Sequence, residues 1–352
     1  MIASAPSRSG PAIDAITTEH HCFGGAVDMK THSSAVIAWS VAALLGSPAA
    51  QSQTYPSKPV RVIVPFSPGG GTDIVARILA PKLGERFGQQ VIVDNRPGAG
   101  GNVGAEITVK SPPDGYTLMV GSTSEIGIGP SIYSKLPYDV LRDLVAVTPL
   151  AATPMILVVH PSMPVKTAKE LVALALARPG QINYGSAGAG SGAHMGAELF
   201  RYMTKIDIVH VPYKGVGPAM ADVIGGQVQV LFTTLPSATA FIKAGRLKAL
   251  GVASLQRASS MPELATMAES GVPGYEMEYW YGFFAPAATP KDILARIYTD
   301  TMGVLRQPDV VANFGKQGVQ PVIKTQEQFA AFVRADIEKW AVVVKASGTK
   351  VD

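Results

Sequence analysis

Short runs rich in valine and isoleucine alternate with longer amphipathic segments from Val60 onward, and this alternation limits the fold more than any other feature of the sequence. Strands separated by helix-length segments form parallel sheets, because parallel neighbours need a crossover long enough to return the chain. Residues 60–64 read as the first strand, 73–87 as a helix with Ile74, Ile78 and Leu79 on its buried stripe, and 91–93 as the next strand. A weak helix over 102–110 stops at Pro112-Pro113-Asp114-Gly115, and 116–120 gives a third strand. The pattern restarts near 155–159, with helices over 167–177, 193–203 and 218–224 and strands over 182–184, 208–211 and 228–232. After the aromatic run 279–285 the sequence is chiefly helical and ends in a long segment over 325–345. The expectation is an α/β chain of two lobes, each a mainly parallel sheet flanked by helices. Residues 54–154 begin the first lobe, 155–276 form the second, and 277–352 return to the first.

At 352 residues the chain has room for two such lobes. Hydrophobic residues make up 47% and charged residues 16%, which predicts large cores and argues against disorder. A net charge of +4 from singly dispersed basic residues gives no face for nucleic acid. Ahead of the pattern, Met29-Lys30, the apolar run 35–45 and Ser47-Pro48-Ala49-Ala50 have the layout of a secretory signal. The run is well short of the roughly 20 residues that span a bilayer. Residues 1–53 are therefore expected to be a leader starting at Met29, cleaved between about Ala49 and Thr54 on export. Its removal takes away two basic and three acidic residues, so the net charge becomes +5. Cys22, the only cysteine, lies in that leader, which excludes disulfides from the mature chain. It does not end an apolar run, so no lipid anchor is expected, and His20-His21-Cys22 reads as a fortuitous cluster in discarded sequence.

Two strand-loop-helix units carry the functional signal: Phe66-Ser67-Pro68-Gly69-Gly70-Gly71-Thr72-Asp73 and Ser186-Ala187-Gly188-Ala189-Gly190-Ser191-Gly192-Ala193-His194. Each puts glycines just ahead of a helix. A helix N-terminus has free N–H groups and about half a positive charge, and glycine lets a ligand approach that backbone closely. One such loop is a weak signal; two in separate lobes can grip one anion between them. Thr72 and Ser191 fall at predicted N-cap positions, where a hydroxyl either caps its helix or turns to the ligand.

Competing chemistries find less support. Gly188-Ala189-Gly190 with Ala193 resembles a dinucleotide fingerprint, but Asp207 precedes the next strand instead of ending it, and no phosphate-loop lysine follows either loop. There is no GxSxG, no HExxH and no cysteine nucleophile in the mature chain. Ser186 or Ser191 with His194 as base is conceivable, although His194 reads better as a residue ordering its own helix start. His160 and His210 read as structural. Asp73 is explained by the helix dipole. The aromatic cluster Tyr275, Tyr279, Trp280, Tyr281, Phe283 and Phe284 fits a cleft wall or a core equally well. No cofactor and no metal are expected.

From Tyr55 to the C-terminus the chain resembles the solute receptors of tripartite tricarboxylate transporters, the Bug family. The resemblance rests on Tyr55-Pro56-Ser57-Lys58-Pro59-Val60, the stretch 65–73, Val93-Asp94-Asn95-Arg96-Pro97-Gly98-Ala99-Gly100-Gly101, Lys135-Leu136-Pro137-Tyr138-Asp139, Val211-Pro212-Tyr213-Lys214-Gly215 and Phe284-Ala285-Pro286-Ala287. It implies a two-lobed periplasmic binding protein fold of the type II, Venus-flytrap kind, with the first lobe completed by the C-terminal segment. It also implies a small carboxylate ligand, a membrane permease with large and small subunits as partner, and a monomer. The implied contacts are both loops together with Ser122, Thr123, Tyr213 and Thr233. Relatives often carry His-x-x-Asn-Pro where this chain has Glu125-Ile126-Gly127-Ile128-Gly129-Pro130, and Asp or Asn where it has Thr233. The sequence leaves open whether these two positions line the cleft, which carboxylate binds, and whether the receptor feeds a transporter or a signalling kinase. An enzyme of the same fold is the remaining alternative.

Overall fold

In the computed structural model β1 (Val60–Val64) lies between β2 (Val91–Asn95) and β3 (Thr117–Ser122), parallel to both, with Val62 facing Val93 on one side and Leu118 on the other. The structure describes residues 24–25 and 55–351; the predicted leader, its cleavage site and Cys22 lie outside the described residues. The crossover α1 (Gly71–Phe87) buries Val75, Leu79, Leu83 and Phe87 at four-residue steps, with Ala76 and Ala80 beside them. Its apolar stripe is therefore rotated from the predicted one, and of Ile74, Ile78 and Leu79 only Leu79 is fully buried. Gly88, at φ 65°, ends the helix in the left-handed conformation that glycine adopts without penalty. The second crossover is α2 (Asn102–Val109).

The next series repeats the plan. After α3 (Ala168–Ala177), β5 (Asn183–Ser186) pairs in parallel with β6 (Val209–Pro212) and β7 (Val230–Thr234). The helices α4 (Gly192–Thr204) and α5 (Val216–Ile224) make the crossovers. Two elements here were not expected from the sequence: α6 (Leu235–Lys243) and β8 (Lys248–Val252).

The two series are joined through β4 (Leu144–Val159) and β9 (Glu278–Pro286). Up to Pro154, β4 runs antiparallel to β9; from Met155 it runs antiparallel to β7 and, on its other edge, from Ile156 to β8. Only the second half of β4 was legible as a strand. Its first half contains Pro149 and Pro154, and proline cannot donate to a ladder; Pro149 is accommodated where the register slips between Pro149 and Ala151. β9 sits between β3 and β4, antiparallel to both. The chain then runs through α7 (Lys291–Leu305), α8 (Pro308–Lys316), β10 (Gln320–Pro321) and α9 (Gln326–Ser347).

The strand order is β2-β1-β3-β9-β4-β7-β5-β6, with β8 and β10 also paired to β4. Each lobe keeps the three parallel strands that the alternation implied, and every pair made by β4 or β9 is antiparallel, so each sheet also has a reversed member. α9 packs on β9, where Trp280 donates its Nε1–H to Asp336 at 2.8 Å and meets Phe329 edge-on at 5.8 Å. Among the described residues no helix is long and apolar enough to cross a membrane.

Candidate ligand-binding site

The first glycine loop is held from behind. Asp73, buried in the first turn of α1, accepts from Gly69 N at 3.0 Å, Arg77 Nε at 2.9 Å and Asn95 Nδ2 at 3.0 Å. Asn95 Nδ2 also donates to the Phe66 carbonyl, so one carboxylate and one amide fix both ends of the turn. Gly69 itself sits at φ 86°, a conformation that side-chain-bearing residues resist. The N-cap is Gly70, which has no side chain to cap the helix, so the first N–H groups of α1 remain open. Thr72, predicted at the cap, is the second residue of the helix, two positions past the cap; three consecutive glycines let the helix start earlier than the pattern implied.

The second loop spends most of its donors on itself. Gly188 N donates to Ser186 Oγ at 3.1 Å, Ser191 N to the Gly188 carbonyl at 3.1 Å, Gly190 N to His194 Nδ1 at 3.2 Å, and His194 N to Ser191 Oγ at 3.3 Å. Ser191 is thus the N-cap of α4, as its position suggested, and His194 orders its own helix start. Gly192 N reaches across to the first lobe, donating to Ser124 Oγ at 2.8 Å. A nucleophile-base contact does exist, but it is Ser186 Oγ with His210 Nε2 at 2.6 Å and not a contact to His194. Ser186 is fully buried and is not among the residues that line the cavity. Burial, with His194 stacked on it at 4.1 Å, pushes the His210 imidazole down to about 4. Burial lowers His194 as well.

Between the loops lies a cavity with about 370 Å³ of empty space, its mouth included. Of the residues singled out from the sequence, Phe66, Gly70, Gly71, Thr72, Ala187, Ser191 and Thr233 line it. Gly69, Asp73, Ser186, Gly188, Gly190 and His194 support the loops from outside the lining. Ser122 and Thr123 form the layer behind the wall: Ser122 bonds Glu125, and Thr123 Oγ1 accepts from Trp280 N at 3.0 Å. Tyr213 is farther out, its hydroxyl donating to Asp222 at 2.5 Å.

The wall also contains residues the sequence did not assign to it, above all Ser124, Met155, Thr234, Tyr279 and Tyr281. The two tyrosines come from the aromatic run that fitted wall or core equally; β9 places them against the glycines. A Cβ on Gly71 would collide with the Tyr281 and Thr234 hydroxyls, and one on Gly192 with the Tyr279 ring. Alternation along β9 was the available signal, since residues two apart share a face. Two hydroxyls in the wall, Thr233 Oγ1 and Tyr281 Oη, are buried without a hydrogen-bond partner. No charged side chain is among the described residues that line the cavity. Glu125 lies outside the lining, fully buried, accepting from Ser122 N and Ser122 Oγ at 2.7 Å each; burial pushes its carboxyl up to about 8. An anion in this cavity would therefore meet helix N-termini and hydroxyls instead of a cationic side chain, a mode of binding well suited to a carboxylate.

The sequence profile of the tripartite tricarboxylate transporter family receptor matches residues 75–349. Protein BugT of Bordetella pertussis is 39% identical over 301 residues, covering 85% of this chain and 92% of its own. Among solved structures, R. palustris Rpa4515 with adipate superposes at a TM-score of 0.82 with 34% identity, covering 84% of this chain and 99% of that one. MatC (Rpa3494) from Rhodopseudomonas palustris with bound malate gives 0.80 and 30%, covering 82% and 100%. With a match that runs from α1 through α9 and relatives alike over nearly their whole length, this chain belongs to the tripartite tricarboxylate transporter receptor family, the Bug group of periplasmic solute-binding proteins.

Proposed function

We propose that the chain captures a small carboxylate anion between its two glycine loops in the periplasm and delivers it to a membrane permease with large and small subunits. The observation that carries this reading is the uncapped N-terminus of α1 opening into an uncharged cavity with two unpartnered hydroxyls. The relatives solved with adipate and with malate support the ligand class. The lobes are residues 54–154 with 277–352 and residues 155–276, β4 changing partners between Pro154 and Met155. The protein acts by binding alone: the Ser186–His210 pair has its hydroxyl buried outside the cavity lining.

A thermal-shift panel of mono-, di- and tricarboxylic acids against neutral sugars and cations tests the proposal. Acids raise the melting temperature, an acid at 100 times its dissociation constant adding about 2.7 kcal/mol by mass action. A shift with sugars and none with any acid would overturn it. Native mass spectrometry of protein purified without refolding then identifies a retained anion directly.

A further inference from the structure

A continuous chain of buried hydrogen bonds leads from Glu125 to the cavity. Ser122 Oγ contacts Glu125 Oε2 at 2.7 Å, Tyr279 Oη lies 2.8 Å from Ser122 Oγ, and Ser124 Oγ lies 2.6 Å from Tyr279 Oη. Ser124 Oγ also accepts Gly192 N–H from the second loop at 2.8 Å, and both Ser124 and Tyr279 face the cavity. Every hydroxyl in such a chain donates once, so the chain has two consistent directions. With Glu125 ionised, Ser122 donates to it, Tyr279 to Ser122 and Ser124 to Tyr279; Ser124 then has only a lone pair left for the cavity. With Glu125 protonated, the acid donates to Ser122, Ser122 to Tyr279 and Tyr279 to Ser124. The Ser124 proton is then free to point into the cavity.

Resting on the carboxylate reading above, we propose that Glu125 is a positioning residue that acts through Ser122 and Tyr279 to decide whether Ser124 offers the ligand a proton or a lone pair, so that a carboxylate is bound together with one proton on Glu125. The surroundings favour this. The buried carboxyl is held at about 8, and what opposes burial is the hydrogen bonds from Ser122 and the backbone, with no cation among them. The ionisable groups facing it are Tyr138 and Tyr279, both raised first by burial and then by its charge, with Glu106 of α2 and Tyr133 beyond Tyr138. Across Gly127 stands Asp336 of α9, itself raised by burial and eased by Lys339. An ionised ligand in the cavity adds a further negative charge, which favours the protonated acid.

Calorimetric titration with adipate and malate, each in two buffers of different ionisation enthalpy, measures the proton count. Wild-type protein takes up about half a proton per bound acid near pH 8, and its affinity falls about tenfold between pH 7 and pH 9. Glu125→Gln offers an amide donor to Ser122 and keeps an acceptor for its N–H, fixing the chain in the outward direction. This variant binds with no proton uptake and no pH slope over that range. Ser122→Ala cuts the chain with Glu125 in place and lowers the linked uptake to what the ligand's charge alone imposes; an uptake equal to that of the wild type in this variant also overturns the inference. Wild-type binding without proton uptake, or an unchanged pH slope in Glu125→Gln, overturns the inference and leaves the receptor reading standing. If neither these nor any other acid binds the wild type, the receptor reading itself falls.

Discussion

Thr233 sits fully buried at the cavity wall with a hydroxyl that meets no partner. A buried polar group left unpaired costs about 1–3 kcal/mol, and a ligand that pairs it recovers that cost on binding. Thr233→Val, nearly the same shape without the hydroxyl, should therefore raise the unfolding free energy of the free protein by about 1 kcal/mol while weakening carboxylate binding by a similar amount. Denaturant melts and calorimetry on the same preparation check both signs; a variant that loses stability and keeps affinity contradicts the assignment. Thr233 was legible as a point where this chain departs from its relatives, but Glu125, marked for the same reason, is turned inward onto Ser122. Nothing local in the sequence separates the two cases. What decides is that residue 125 lies in a π-helical turn (Thr123–Ile128), wider than an α-helical one, which puts Ser124 in the cavity lining and leaves its neighbours behind the wall.

At the scale of elements, the two glycine loops were read as equivalents, yet α1 begins uncapped while α4 is capped by Ser191 and braced by His194. The difference follows from composition: the first loop has three glycines and no side chain at the cap, the second intersperses serines among its glycines. It also predicts a pH response. His210 has a folded-state value of about 4 against an ordinary 6.5, so below 6.5 the unfolded chain binds a proton that the folded one refuses. Stability should fall as the pH drops from 6.5 towards 4, by up to about 1.4 kcal/mol per unit. Replacing His210 by Gln, which still accepts from Ser186, should flatten that slope in chemical denaturation. A variant with the wild-type acid limb would show that other groups set it. Helices and strands with one clear period were legible nearly to the residue, as β1 shows. The first half of β4 was not, because its prolines hide a strand whose bulges accommodate one of them.

For the whole molecule, the alternating pattern revealed two series of parallel strands but not the strand that binds them into one object. β9 lies between β3 and β4, and β4 belongs to both lobes, so neither lobe can lose its sheet without exposing an edge of the other. Residues 53–352 should therefore unfold in one transition, with calorimetric and van't Hoff enthalpies equal; two separated heat-absorption peaks would refute the coupling. The interlobe contacts Ser67 Oγ to the Lys214 carbonyl at 2.8 Å and Tyr133 Oη to the Ala189 carbonyl at 2.6 Å add only weakly to it, because each is a single hydrogen bond. The placement of β9 also sets an order in time. Chains usually fold N-terminal part first as they leave the ribosome. Here β3 is synthesised long before its neighbour at Glu278–Pro286, and α9 later still, whereas every strand pair from Met155 to Val252 is local to that stretch. The sheet of β1, β2 and β3 therefore lacks its β9 neighbour until late in synthesis, when the partners of every pair among β5 to β8 have already been made.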